Sequence, residues 1–220
     1  MHHENPHALR RTLRTLRHQL TPAQHHHHAA QVIRRLVSLR WLRRARRIAL
    51  YWSADGEVDV RPLLHYAQRH GKTCYLPFVQ PQHTTWGRGQ LWFGRYQPGD
   101  RLQPNCFGIP EPVNRTLCPV WQLDVIVLPL VGFDANCQRL GMGGGFYDRS
   151  LAPLRQRHYG RRPRLLGIAH ECQRVAHLTA RAWDVPLDAV ITERRIYHRP
   201  FTLNRLCYDK RSFHTPNEDA

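Results

Sequence analysis

The stretch RLGMGGGFYDR, residues 139–149, gathers residue types that handle phosphate. Gly141, Gly143, Gly144 and Gly145 leave backbone N–H groups open to an anion, because no Cβ stands in the way. Successive N–H groups leading into a helix make an anion nest. Arg139 adds a forked donor for a phosphate oxygen. Asp148 follows the loop and offers a carboxylate to a Mg²⁺ that bridges phosphates. The spacing matches neither the dinucleotide-binding glycine pattern nor the P-loop. The plainer alternative is a glycine turn followed by a helix-start aspartate.

Three further segments carry reactive or flat side chains. In YWSADGEVDVRPLL, residues 51–64, a strand ends at Tyr51-Trp52 and a turn at Asp55-Gly56 leads to Glu57 and Asp59. Trp52 could stack on a flat heterocycle, although a tryptophan at a strand end is more often core. Glu57 stands at the carboxyl edge of a strand, and Asp59 fits a helix cap. FGIPEP, residues 107–112, reads as a rigid loop around one glutamate. WDVPLDAVITE, residues 183–193, puts Asp184 before a final strand and Asp188 at its entry. In the run His25–His28, His25 and His28 are one turn apart and could bind a transition metal adventitiously, but a solvated polar helix face is the stronger reading, since no cysteine or carboxylate accompanies the run.

These residues need a scaffold, and the periodicity supplies one. Leu9, Leu13, Leu16 and Leu20 form an apolar stripe on a helix over 8–20, and Arg10, Arg14 and Arg17 form a basic stripe beside it. Thr21-Pro22 reads as the cap and first residue of a second helix running to about Leu39. RWLRRARR, residues 40–47, reads as a basic connector. Short apolar runs at 48–52, 73–79, 124–131, 164–169 and 188–192 read as buried strands, with helical stretches near 60–70 and 145–157. Alternation of that kind predicts an α/β protein with a mostly parallel sheet. Open sheets of this class bind ligands at the carboxyl ends of their strands, where 139–149 and 51–64 both fall. Residues 80–122 read as loops with a short hairpin at 90–96. Residues 1–198 are expected to form one domain, followed by a partly disordered tail over 199–220.

Composition narrows the setting. The 220 residues are long enough to bury a core without staples, and no apolar run approaches the ~20 residues of a spanning helix. The amino-terminal residues lack a signal-peptide core. Six cysteines without a paired spacing read as free thiols in a reducing cytoplasm. Lys plus Arg number 33 against 16 Asp plus Glu, a net charge of +17 that suits a polyanionic partner.

The ordered set LRRTLRTLRHQLT, GEVDVRPLL, GKTCYLPFV, FGIPEP, LDVIVLPLVGFD, RLGMGGGFYDR and DVPLDAVITE resembles the 5-formyltetrahydrofolate cyclo-ligase family, also called methenyltetrahydrofolate synthetases. The resemblance spans nearly the whole chain. It implies a three-layer α/β/α, Rossmann-like fold and an enzyme that uses ATP and Mg²⁺ to convert 5-formyltetrahydrofolate to 5,10-methenyltetrahydrofolate. It also implies roles for particular residues. Arg139, Gly141, Met142, Gly143, Gly144, Gly145, Phe146 and Tyr147 would surround the ATP phosphates, with Arg10 facing them from the first helix. Trp52 and Glu57 would contact the folate, and Asp148 and Asp184 would be the magnesium-associated carboxylates. Glu57 and Arg139 are the residues expected to serve the chemistry. The chain departs from the family pattern at Pro6, where many relatives carry Lys, and at Met142, Phe146 and Trp183.

The implied chemistry agrees with the residues. Phosphorylation of the formyl oxygen turns a poor leaving group into a good one, and the second folate nitrogen, N10, then closes the ring. Such a reaction needs positioning and charge neutralisation rather than a Ser or Cys nucleophile. A substrate with a polyglutamate tail, attracted by the stripe of Arg10, Arg14 and Arg17 and by the basic run at 40–47, would account for part of the positive charge. Two alternatives compete: a basic nucleic-acid-binding protein, for which no reader motif is found, and a relative that binds folate or nucleotide without turnover. Neither a membrane nor a specific nucleic acid is expected as a partner.

Overall fold

The computed structural model describes residues 5–79, 90–113, 116–155, 163–181 and 183–200. Five helices are α1 (Pro6–His18), α2 (Pro22–Ser38), α3 (Arg40–Arg44), α4 (Arg61–Arg69) and α5 (Phe146–Leu151). The strands, in chain order, are β1 (Arg47–Ala49), β2 (Thr73–Val79), β3 (Leu91–Tyr96), β4 (Leu102–Pro104), β5 (Pro110–Pro112), β6 (Leu117–Cys118), β7 (Val125–Pro129), β8 (Gly132–Phe133), β9 (Arg139–Leu140), β10 (Arg164–Ile168), β11 (Ala189–Ile191) and β12 (Ile196–His198).

Eight strands form one sheet in the order β12-β11-β10-β7-β1-β2-β3-β6. The pairs from β11 through β10, β7 and β1 to β2 are all parallel, while β12, β3 and β6 add antiparallel edges. The segment expected as a hairpin at 90–96 is therefore a strand of the main sheet, because its alternating apolar residues pair along β2. Numbered among themselves, the parallel strands run 2-1-3-4-5, one of the two common doubly wound orders. The chain leaves β1 in one direction to β2 and later places β7 on its other side. A crevice opens at that reversal, beyond the carboxyl ends of β1 and β7.

The pleat divides the core. Ile48, Leu50, Leu76, Val127 and Leu166 face α2, α3 and α4, whose Val32, Leu36, Leu42 and Leu63 are wholly buried. Ala49, Ile126, Leu128, Leu165 and Val190 face the other way, against Leu123, Leu151 and Leu154. That second layer is thin: among the described residues it contains the six-residue α5 and two short 3₁₀ turns, Val120–Gln122 and Ala152–Leu154. Strands buried on both faces explain why they read as continuous apolar runs.

Local signals set the helix boundaries. Thr21 caps α2 with a reciprocal bond to Gln24, and Pro22 is its first residue. Asn5 and Pro6 start α1 in the same way. The basic connector at 40–47 contains α3, because Leu42 is drawn into the core while Arg43 and Arg44 remain exposed. The α1 stripe is not buried as expected. Leu13 is enclosed, but Leu16 is exposed and Arg17 is wholly buried, since the helix turns an ion pair toward the sheet. Cys74, Cys106, Cys118, Cys137 and Cys172 are free thiols. Cys207 and residues 201–220 of the expected tail lie outside the described residues.

Candidate active site

The crevice at the reversal widens into a cleft of about 1280 Å³. Its walls come from α1, the loop after β1, the carboxyl ends of β7 and β9, the glycine loop, α5, residues 175–179, Arg181, Trp183 and Asp184. Arg10, Trp52, Glu57, Arg139, Gly141, Met142, Gly143, Gly144, Gly145, Phe146, Tyr147, Asp148 and Asp184 all line it. Residues spread over most of the sequence thus converge on one concave surface.

The glycine loop is held from outside. Arg10 Nε donates to Gly141 O at 2.8 Å, and Arg149 donates to Gly144 O at 2.6 Å. Gly143 has φ +101, which L side chains rarely adopt, and a Cβ there would stand 3.4 Å from the Arg10 guanidinium. Gly145, at φ +65, turns the chain into α5. The Arg10 pKa is lowered, first by burial and then by the nearby Arg181 cation. Among the described residues Arg10 and Arg181 show no ion pair with a carboxylate, so positive charge available to an anion stands beside the loop.

Arg139 and Asp148 form an ion pair with each other. The guanidinium is 8% exposed, and its Nε is buried without a partner, a donor still available to an oxygen anion. Asp148 is thereby neutralised in part and held still rather than projecting freely. Asp184 Oδ2 accepts from Arg181 N at 2.8 Å. Both carboxylates keep further lone pairs, and two carboxylates beside a phosphate cradle fit the oxygen-rich shell that Mg²⁺ takes.

Glu57 lies across the loop after β1. Burial raises its pKa to about 7, against the lowering effects of the Ala54 N–H and Arg17 and with a small further rise from Asp55. Ala54 N donates to its Oε2 at 3.2 Å. Tyr51 and Tyr147 are driven upward by burial and then by the neighbouring Glu57 charge. Trp52 packs edge-on against Tyr96, with ring centroids 6.2 Å apart, and is partly exposed to the cleft. Phe107 stands edge-on to Phe146 at 5.6 Å, and Phe107, Met142 and Trp183 form exposed apolar surface on the cleft wall. Flat aromatic ligands suit such surfaces.

The sequence missed the device that holds the Glu57 loop. Asp55, expected only as a turn residue, accepts from Arg14, Arg17 and His18. Burial pushes its pKa up, but bonds from Arg14, His18 and Arg17 outweigh that and bring it to about 2. Arg17 also reaches Leu130 O. The basic stripe of α1 is therefore largely committed to structure. Arg181 and Asn105 were missed as well. Asn105 Nδ2 and Val79 N both donate to the buried Glu111, which fixes the FGIPEP loop over the cleft. Arg181 sits in irregular chain, where no periodic signal marks it. None of residues 40–47 lines the cleft, because α3 and the start of β1 lie at the amino-terminal edge of the sheet.

Comparison with known proteins matches residues 2–193 to the model of the 5-formyltetrahydrofolate cyclo-ligase family. The chain is 40% identical over 187 residues to the 5-formyltetrahydrofolate cyclo-ligase of Escherichia coli K12, covering 84% of this chain and 98% of that protein. It is 37% identical over 185 residues to the Haemophilus influenzae protein of the same name, covering 83% and 95%. The fold superposes on Aquifex aeolicus 5,10-methenyltetrahydrofolate synthetase with TM-score 0.73 and 28% identity, covering 93% of this chain and 99% of that one. It superposes on the Mycoplasma pneumoniae synthetase with TM-score 0.66 and 25% identity, covering 86% and 99%.

Proposed function

The chain belongs to the 5-formyltetrahydrofolate cyclo-ligase family and converts 5-formyltetrahydrofolate to 5,10-methenyltetrahydrofolate; we propose that it does so in the cleft just described, with ATP as co-substrate. The observation that carries this reading is the convergence of a glycine cradle, two guanidiniums, a half-buried carboxyl group and apolar stacking surface on one cavity.

In this reading the loop from Gly141 to Tyr147 binds the ATP phosphates, with Arg10 and Arg181 neutralising their charge. Asp148 and Asp184 would hold Mg²⁺, which would supply charge neutralisation on the transferred phosphoryl group. Trp52 packs beside the folate rings and Glu57 faces their polar edge. The formyl oxygen takes the γ-phosphoryl group and ADP departs. N10 then bonds to the formyl carbon, phosphate leaves with the former formyl oxygen, and N10 loses its proton. A carboxyl group with a pKa near 7 is matched to receiving that proton at neutral pH. Arg139 holds Asp148 in place and offers its buried Nε toward the phosphates. Both folate nitrogens belong to one molecule, so ring closure gains from proximity.

A polyglutamate tail on the substrate has no committed binding site in this reading. Arg17 is buried, Arg14 is paired with Asp55, and the 40–47 run is remote from the cleft. Residues 1–198 are read as one catalytic domain. The protein is assigned to the cytoplasm on its unpaired thiols. Among the described residues, no helix is long and apolar enough to cross a membrane.

The test supplies purified protein with 5-formyltetrahydrofolate, ATP and Mg²⁺ and follows the methenyl chromophore together with ADP and phosphate. All three products should form in equal amounts. A folded sample that makes no methenyl product overturns the proposal, and product formation without ATP overturns the co-substrate assignment.

A further inference from the structure

The histidine run of α2 is not wholly solvated. His26 and His27 are exposed, but His28 turns inward to His170, the wholly buried residue that follows β10. Their Nδ1 atoms are 3.0 Å apart. Glu193, in the turn between β11 and β12, brings Oε2 to 3.9 Å from His28 Nδ1. One ligand atom from each of the three residues lies within 4.8 Å of the others. We propose that His28, His170 and Glu193 form a binding site for a transition cation of the Zn²⁺ class, separate from the catalytic cleft.

The protonation pattern favours a cation between these groups. His170 Nε2 is 3.3 Å from Gly56 O, which only accepts, so Nε2 carries the proton and Nδ1 presents a lone pair. A ligating imidazole whose other N–H is anchored to a backbone carbonyl is the usual supporting arrangement at metal sites. His170 is wholly buried, which favours the uncharged ring that a ligand must have. Two imidazoles and one carboxylate suit Zn²⁺, Co²⁺ or Ni²⁺, whereas Mg²⁺ and Ca²⁺ prefer all-oxygen shells. Zinc bonds of ~2.0–2.1 Å put tetrahedral ligands about 3.3 Å apart, so the His pair is already in range and the Glu193 side chain must swing inward by roughly an ångström. The side chains of His28 and Glu193 are 16% and 11% exposed, so the cluster is in contact with solvent. None of the three residues lines the catalytic cleft. A bound cation would staple α2 to the chain leaving the carboxyl ends of β10 and β11, beside the Gly56 carbonyl of the loop that carries Glu57.

The experiment titrates metal-stripped full-length protein with Zn²⁺ and Co²⁺, reading calorimetric affinity, the d–d absorption of Co²⁺ and the Tm. The wild type should bind one cation, show the intense bands of tetrahedral Co²⁺ and gain Tm. Glu193→Gln and His170→Gln should each weaken binding by at least about 10-fold, while the double substitution His26→Asn/His27→Asn should leave it unchanged. Glu193 is half-buried and a Gln oxygen can still accept from Glu171 N, so Glu193→Gln keeps the test open if His170→Gln fails to fold. Absence of binding overturns the proposal, as does affinity indifferent to Glu193→Gln. Loss of binding only in the His26/His27 variant would assign the metal to the exposed run and also overturn it.

Discussion

Burial of Glu57 makes a pH-dependent contribution to stability that can be isolated. Its pKa is raised from 4.5 to about 7, so the folded state holds a proton that the unfolded chain has already released between those values. A raised carboxyl pKa contributes stability that is fully present below the unfolded value and lost as pH rises through the folded one. Integrating that linkage between pH 5 and pH 8 gives a loss of about 2.5 kcal/mol in the wild type. Glu57→Gln cannot ionise and should show no such loss. Its amide oxygen can still accept from Ala54 N, and any cost of burying the extra NH₂ is the same at both pH values. The assay is urea unfolding of wild type and Glu57→Gln at pH 5 and pH 8. The stability difference between the two proteins should shift by about 2.5 kcal/mol in favour of the variant at the higher pH. A shift below about 0.5 kcal/mol would refute the argument that burial controls this carboxyl group. The same substitution should weaken folate use more than ATP binding, and selective loss of ATP affinity would show that the two subsites have been exchanged.

Other expectations follow from the same geometry. Asp148→Asn should lower turnover by about 10²-fold, and unchanged magnesium dependence in both Asp148→Asn and Asp184→Asn would remove the metal assignment. Asp55→Asn leaves the buried Arg17 guanidinium without its carboxylate and should destabilise by about 3 kcal/mol at pH 7. Because the Asp55 pKa is depressed to about 2, wild type keeps this contribution above pH 3.8 and loses it as pH falls through 2, where denaturation curves of the two proteins should converge. Gly167→Ala puts a Cβ 2.6 Å from Leu187 and 2.7 Å from Leu130, and should cost about 1–3 kcal/mol in unfolding experiments. Arg43→Ala/Arg44→Ala should leave the KM for mono- and polyglutamylated substrates unchanged at low and high salt; a polyglutamate-specific rise at low salt would return that basic run to substrate attraction.

Much of the fold was legible because its signals are local. Thr21-Pro22 fixed the start of α2, and runs such as TCYLPFV became β2 unaltered, since a strand buried on both faces must be apolar throughout. The glycine loop was also readable, because Gly143 takes a φ that L side chains rarely adopt and Gly145 lies in the left-handed region that favours glycine. Strand pairing was not readable. Residues 90–96 carry a strand pattern, but nothing in that pattern names β2 as the partner.

The sequence by itself determined the residue types of the site and the loops that carry them, because glycine freedom and proline geometry act within a few residues. Tertiary structure alone decided which charges remain available. Arg10, Arg14 and Arg17 share one helical spacing, yet Arg10 braces the glycine loop, Arg14 pairs with Asp55 at the surface, and Arg17 is wholly buried. Arg139 and Asp148 looked like independent ligands and are joined to each other. His28 gained a buried imidazole and a carboxylate from segments more than a hundred residues away. The strength of a charge depends on its burial and on what stands within a few ångströms. Only the folded chain sets those distances.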